Sequence, residues 1–443
     1  MSNYSKNLYL YDSYSQSKKI IKDKFVKIYC CGPTVYNHVH IGNLRPLITF
    51  DVLVRFLLAT KHRVKYISNI TDVDDKIITK AAEEKTTEKK VSQKYCDAYF
   101  DLAKKLNVRK IDVVPKVMEN IQGIIDYVEK LVKKNKGYVS SDGDVYFDIN
   151  SVKKYYGKLS KQKISDLLNG VRKENNSEKK SPLDFVLWKK TNVGVNWKSP
   201  WNNHGRPGWH TECSYFVNKY FGNNGVTIHG GGIDLKFPHH ENENAQNIAL
   251  TNKQMSKNWM HVGHIMVNNE KMSKSLNNFV LGIDILKVYD VNTIRWFFLQ
   301  TQYENPINYS NANMELARSE INKLFKTLNS FIFQLYLNGI VFKEKKVKLS
   351  EKFIEIMNND LNFPGVVTLI YDETKSLPSL LKEKKFKIIE QTINQVILQL
   401  SILGIVYNLK LAKYIPDLKK WKKANEEKDY ATGDKIREKL ANI

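Results

Sequence analysis

The sequence predicts an α/β fold: a doubly wound parallel sheet with an inserted connective domain, followed by an all-α helical bundle. Three observations carry this. Between residues 25 and 70 a β-rich stretch, a glycine-containing turn, a helical stretch and a second β-rich stretch follow one another. A polar block with a different pattern separates this opening from a second α/β stretch. Beyond about Ser310 nearly every apolar run has helical spacing. The expected boundaries are 1–114 and 200–270 for the two halves of the α/β domain and 115–199 for the insertion. A loop and connecting region covers 271–310, the bundle 311–415, and a short C-terminal segment 416–443.

Phe25 to Cys30 alternates and is β-rich, so it reads as a strand. It runs into Cys31-Gly-Pro-Thr-Val-Tyr-Asn-His-Val-His-Ile-Gly-Asn43. A helix is expected from about Leu44 to Ala59, then a strand from Val64 to Ile70. Ligands of such sheets bind beyond the carboxyl ends of the strands.

From Pro115 the pattern changes. Met118, Ile121, Ile125, Val128 and Val132 mark one helix face, with Gly137 as a stop. Tyr138 to Ile149 reads as a hairpin turning at Gly143. Val171 to Pro182 is polar and charged and reads as a mobile loop.

The sheet is expected to resume near Pro200. Arg206 to Phe221 reads as a helix with Pro207 in its first turn. Val226 to His229 reads as a strand, and His239 to Leu250 as a helix opened by Pro238. Met260 to Val267 reads as one strand, and Asn268 to Phe279 as a polar loop. Leu316 to Leu335, Phe353 to Met357, Val366 to Ile370 and Phe386 to Tyr407 supply the helical tail.

Composition narrows the function. The 443 residues carry 70 Lys and Arg against 46 Asp and Glu, a formal charge of +24. Such a surplus suits a polyanionic partner. It is evenly spread, however. Residues 311–443 hold 23 basic and 16 acidic side chains, about +0.05 per residue, as does the rest. The charge permits nucleic-acid binding without outlining a footprint. The best apolar stretch, Val396 to Tyr407, is far short of the roughly 20 residues of a membrane span. The N-terminus lacks a signal-peptide pattern. Four cysteines, Cys30, Cys31, Cys96 and Cys213, make no disulfide scaffold. A reduced, cytoplasmic protein is expected.

Two short motifs matter together. His40-Ile-Gly-Asn43 follows a strand and opens a helix, and Lys271-Met-Ser-Lys-Ser275 sits in a later loop. The first offers an imidazole and a glycine turn at a helix N-terminus, a ready anion site. The second offers two ammonium groups. Together they can clamp a triphosphate and stabilise charge during attack at phosphorus. Cys31, Cys213, His239 and Glu243 are all zinc-ligand types, and His239 and Glu243 share a helix face. Their scattered spacing equally fits a buried helix cysteine and a first-turn histidine.

Both motifs, in this order, resemble the signatures of class I aminoacyl-tRNA synthetases, with Asn43 where that family has His. More closely, Cys31-Gly-Pro-Thr-Val-Tyr36, Thr71-Asp-Val-Asp-Asp-Lys76, Gly208-Trp-His-Thr-Glu-Cys213, His229-Gly-Gly-Gly-Ile-Asp234 and Phe237-Pro-His-His-Glu-Asn-Glu243 resemble the cysteinyl-tRNA synthetase family. Asp144-Val-Tyr-Phe-Asp148 and Asp184-Phe-Val-Leu-Trp188 fit its insertion, and Asp360-Leu-Asn-Phe-Pro364 its helical domain. The likeness spans nearly the whole chain.

The resemblance implies a Rossmann-like catalytic domain, a stem-contacting region and an anticodon-binding bundle. It implies a monomer that takes ATP with Mg²⁺, L-cysteine and tRNA-Cys. It places one zinc ion on Cys31, Cys213, His239 and Glu243. It places Gly32, Thr71, Trp209 and His229 around the amino acid, and His40, Gly42, Asn43 and Lys274 on ATP. His40, Lys271 and Lys274 are the catalytic residues it implies. Cys30 is then a neighbouring decoy, Cys96 a packed residue, and His240 either a helix-surface residue or one that supports the metal ligands from behind.

Zinc answers a selection problem. Pocket size alone separates such substrates by only about 1–3 kcal/mol. Two thiolate ligands favour a further soft donor, the substrate sulfur, over the oxygen of serine. Five-coordinate zinc is expected with substrate bound. One competing reading is a class I ligase joining cysteine to a small amine, which has no need of the long helical tail. Another is a non-catalytic RNA-binding paralogue, for which intact Cys31, His40, Lys271 and Lys274 would be idle. The segment Lys428 to Arg437 resembles the family's C-terminal helix, and the chain then ends at Ile443. Weaker anticodon discrimination is expected from that.

Overall fold

The computed structural model describes residues 7–163, 165, 178–272, 278–408 and 415–441. Its centre is a four-stranded parallel sheet. The order is Ser256–Val262, Val226–Gly232, Phe25–Cys30, Arg63–Ser68. The first strand in sequence is therefore an inner one, flanked by a late strand and its sequence neighbour. Single parallel bridges, Ile67 to Val113 and Ile70 to Lys116, continue the sheet beyond its edge. A parallel sheet covered on both faces should be apolar throughout. Val26, Ile28, Tyr29, Ile67, Ile228, Trp259 and Met260 are all buried.

The Ile41–Ala59 helix crosses behind the sheet, starting three residues before the expected Leu44 because His40 caps it. Gly230 lies where this helix comes closest. A Cβ there would strike the Met260 carbonyl and come within 2.9 Å of the Phe50 ring. Val226–Gly232 is longer than the strand expected, since all three glycines belong to it.

Between the two halves stands a separate antiparallel sheet of Gly137–Val139, Val145–Phe147, Phe185–Lys190 and Gly205–Pro207. The hairpin turns at Gly143, whose φ is +94°. Two expectations fail here. Gly137 begins a strand; the preceding Ile121–Lys133 helix ends at Lys134, and the left-handed residue after it is Asn135, φ +56°. Arg206 and Pro207 lie in the last strand, and the helix starts at Trp209 behind Gly208. Proline suits an edge strand and a first helical turn for the same reason, its missing N–H. Most of the expected loop at 171–182 lies outside the described residues.

The expected strand Met260 to Val267 is two strands in two sheets. Ser256–Val262 ends the parallel sheet, while Ile265–Val267 pairs with Glu270–Lys271 and Ile307–Tyr309. The break falls at Gly263, whose N–H bonds the Tyr303 carbonyl at 2.8 Å and whose missing Cβ admits the Glu304 and Asn305 carbonyls.

The C-terminal helices include Asn311–Leu337, Glu351–Asn358, Phe363–Lys375 and Phe386–Ile402. Their apolar faces are continuous with the core beneath the Ile41–Ala59 helix. Asp360 ties them to an N-terminal hairpin of Tyr9–Asp12 and Ser17–Ile20: its Oδ1 accepts from the Tyr11 N–H at 2.8 Å and the Tyr303 hydroxyl at 2.7 Å. Among the described residues no helix is long and apolar enough to cross a membrane.

Candidate active site and metal centre

A cleft of about 410 Å³ opens at the carboxyl ends of the central strands. Cys31, Gly32, Thr71, Trp209, Cys213 and His239 line one end, and His40, Gly42, Asn43 and Lys271 the other. Residues from both halves of the chain meet there because Phe25–Cys30 and Val226–Gly232 are hydrogen-bonded neighbours.

His40 is the N-cap of the long helix. Its Nδ1 accepts the Gly42 N–H at 3.1 Å, and the Asn43 Oδ1 accepts the His40 N–H at 3.2 Å. This reciprocal pair is a capping box. Since Nδ1 accepts, the ring proton sits on Nε2, where it can be donated. Burial lowers the His40 pKa to about 4, against a smaller opposing pull from Asp234. His40 is thus a neutral donor at physiological pH.

The helix start differs from the open anion site expected. Its first amides are taken: Ile41 N–H by the Val280 carbonyl at 2.9 Å, Gly42 by the His40 ring, and Asn43 by the His40 carbonyl at 2.9 Å. The helix dipole remains, but direct donation falls to side chains. The bond to Val280, with Gly282 N–H to the Val39 carbonyl at 2.9 Å, also staples the exit of the Lys271 loop to the His40 turn. Lys271 is exposed at the cleft mouth. Lys274 and Ser275 lie outside the described residues.

The other end is a donor cluster. The Cys31 and Cys213 sulfurs are 3.7 Å apart, and the Cys31 sulfur is 3.4 Å from the Glu243 Oε1. The same oxygen is 2.9 Å from the His239 Nε2. One atom from each of Cys31, Cys213, His239 and Glu243 falls within 4.8 Å of all the others. The pair His239 and Glu243 meets by i,i+4 spacing, as the sequence suggested, although the helix proper begins at Glu241.

The charges ask for a cation. Burial raises the Cys31 thiol. Burial pushes Cys213 up too, but a hydrogen bond from Cys31 and the neighbouring His239 outweigh it and bring it to about 6. His239 is buried, which disfavours its charge, yet Glu243 pulls it up to about 10. Two thiols, an imidazole and a carboxylate fit zinc. The His239 Nδ1 lies 3.0 Å from the His210 Nδ1, which orients its Nε2 into the cluster.

A second donor set shares Cys31 and Glu243 and adds His229 and His240. Both histidines are fully buried. Of the two expectations for His240, the surface one fails and the supporting one fits: its Nδ1 meets the His261 Nε2 at 2.8 Å, and its Nε2 has no hydrogen-bond partner among the described residues. His229 sits between Tyr29 and Trp259, with Nε2 3.1 Å from the Glu243 Oε2. It lies behind the donor cluster rather than on the cleft wall. Cys30 and Cys96 are buried and outside both sets.

Of the other residues expected around the amino acid, Trp209 stays 41% exposed and stacks on His239 at 4.2 Å, a wall rather than a core aromatic. Gly32 passes so close to Asn69 that a Cβ would run into its carbonyl. Thr71 is buried and bonds to Glu212. Asn69, His210, Glu212, Asp234 and His261 touch or face the site and were left unassigned by the sequence reading. His210, Glu212 and Asp234 lie inside quoted motifs, which was the available signal; Asn69 was hidden because the strand was expected to run on to Ile70, whereas it ends at Ser68.

A parallel sheet with this cleft at its carboxyl edge, lined by the His40 motif and by Lys271, is the arrangement of a class I aminoacyl-tRNA synthetase. The family described as "tRNA synthetases class I (C) catalytic domain" matches residues 17–319. The chain is 44% identical over 436 residues to the cysteine–tRNA ligase of Malacoplasma penetrans, covering 97% of this chain and 98% of that one. It is 46% identical to the cysteine–tRNA ligase of Ureaplasma parvum, covering 98% and 99%. The chain belongs to the cysteine–tRNA ligase family. In fold it also resembles Mycobacterium tuberculosis methionyl-tRNA synthetase in complex with methionyl-adenylate, with TM-score 0.63 and 11% identity over 86% of this chain and 89% of that one.

Proposed function

We propose that the protein activates L-cysteine with ATP to cysteinyl-adenylate and transfers it to the 3′ end of tRNA-Cys, with zinc selecting the thiolate. The observation that carries the selection is the juxtaposition of Cys31, Cys213, His239 and Glu243 at the closed end of the cleft. Zinc bound there would supply a soft Lewis acid that prefers substrate sulfur to oxygen.

The chain's own residues do the rest. Trp209 walls the pocket over His239, and Gly32 and Thr71 bound the amino-acid end. His40 donates its Nε2–H toward phosphate oxygens as charge builds at the α-phosphate. Lys271 stands at the mouth, and Lys274 joins it in this reading through the motif alone. Gly42 and Asn43 shape the His40 cap. Attack comes from the substrate carboxylate and then from a tRNA ribose hydroxyl, so no side-chain nucleophile is required.

ATP enters with Mg²⁺, and the working form is a cytoplasmic monomer; family membership supports both. The domain division follows the sheets: two catalytic halves, an insertion reaching Pro207, and a helical part for the tRNA. The small-amine reading is disfavoured because the named relatives match along the helical tail as well, and the non-catalytic reading because Cys31, His40, Lys271 and Lys274 are all present. Charging a tRNA-Cys transcript with labelled cysteine tests the proposal. Labelled tRNA is expected. Cysteine left unattached, or attached to a small amine instead, would overturn it.

A further inference from the structure

A chain of hydrogen bonds under the amino-acid end of the cleft runs from a backbone donor at Gly32 to a carboxyl acceptor at Glu212. The Gly32 N–H is a donor only, and it donates to the Asn69 Oδ1 at 3.0 Å. The Asn69 Nδ2 must then face the other way, and it donates to the Thr71 Oγ1 at 3.3 Å. The Thr71 hydroxyl cannot return a proton to that amide. Its single proton goes to the Glu212 Oε2 at 2.8 Å. A hydroxyl has one proton and two lone pairs. One lone pair faces Asn69, so the other is what Thr71 offers to the cleft it lines.

Glu212 is an odd residue to bury. It is 1% exposed, and its Oε1 has no hydrogen-bond partner among the described residues. A buried carboxyl with an unpaired oxygen is destabilising, and packing alone would favour an apolar side chain. Its bond to Thr71 is the return for that cost.

We infer that Glu212 is a positioning residue: by accepting the Thr71 hydroxyl's hydrogen bond it leaves Thr71 only a lone pair to offer, and so tunes this end of the cleft to a ligand that donates there, the α-ammonium group of the amino acid. This rests on the proposed cysteine specificity and adds the feature that distinguishes the amino acid from its des-amino analogue.

The test uses the full-length metal-loaded enzyme in cysteine-dependent ATP–pyrophosphate exchange, with 3-mercaptopropionate as a competitive inhibitor lacking the ammonium group. Glu212→Leu should raise the KM for cysteine about tenfold, with the inhibition constant of 3-mercaptopropionate and the KM for ATP changed less than twofold. Glu212→Gln keeps an acceptor oxygen and should restore the cysteine KM to within about threefold. Thr71→Val in the Glu212→Leu background should add little. Equal weakening of both ligands, or no rescue by Gln, would overturn the inference. Should Glu212→Leu fail to fold, Thr71→Val alone must show the cysteine-selective loss, and its absence overturns the inference equally. A wild-type enzyme with no cysteine-dependent exchange would instead refute the underlying specificity.

Discussion

Cys31 and Cys213 stand 182 residues apart in sequence and bring their sulfurs to 3.7 Å of each other. Cys31 sits just past the carboxyl end of an inner strand, and Cys213 on the buried side of the helix that follows the insertion. Neither position has a structural need for sulfur. Cys213→Ser should therefore leave the fold intact by circular dichroism while bound zinc, measured by elemental analysis, falls well below one per chain. Full zinc retention would remove Cys213 from the ligand set.

His210 should matter through His239 alone. Its Nδ1 holds the His239 Nδ1 at 3.0 Å, and partners of this kind typically tune metal affinity 10–100-fold. His210→Phe should weaken zinc binding by about that factor in competition with a chromophoric chelator. An unchanged affinity would mean that Trp209 stacking orients His239 sufficiently by itself.

His40 makes stability pH-dependent. Its folded pKa is about 4 because burial disfavours the charged ring, whereas an unfolded histidine titrates near 6.5. Between those values the unfolded chain binds more protons, so stability falls as pH drops from about 6.5 to 4 and this contribution levels off below. The loss from His40 is up to about 3 kcal/mol. His40→Asn should flatten this part of the urea-unfolding profile; an unchanged slope would contradict the shift.

Arg295 joins three parts of the molecule. It is fully buried and donates to Asp51 at 2.5 Å, to the Leu106 carbonyl at 2.8 Å and to the Leu403 carbonyl at 2.9 Å. Gly404, φ +73°, makes room for its guanidinium. Arg295→Met strands a buried carboxylate whose remaining cationic partner is Arg55, at a cost of about 3–5 kcal/mol. Thermal unfolding should show it. Because Asp51 lies on the helix that His40 caps and Leu403 follows the Phe386–Ile402 helix, tRNA charging should fall as well.

Much of this was legible because alternation and helical spacing reflect local burial. Phe25–Cys30, the His40 helix and the Gly143 hairpin are cases. What failed was ambiguous locally. Pro207 satisfies an edge strand as well as a helix start, and no spacing rule sees that Gly263 hands the chain from one sheet to another. The metal donors come from three distant segments, so their chemistry alone left them a candidate set with a plain alternative, and the motif resemblance was needed to choose. Glu212 was missed because polar residues on a helix ordinarily face water, and here it is buried against the site.

The central claim is that the metal centre, rather than pocket size, sorts cysteine from serine. The most direct measurement compares ATP–pyrophosphate exchange with the two amino acids in zinc-loaded enzyme and in enzyme stripped of metal but still folded. Loaded enzyme should prefer cysteine by several orders of magnitude in kcat/KM. Stripped enzyme should keep only the roughly 10–200-fold that pocket shape supplies. A stripped enzyme with undiminished preference would contradict the claim.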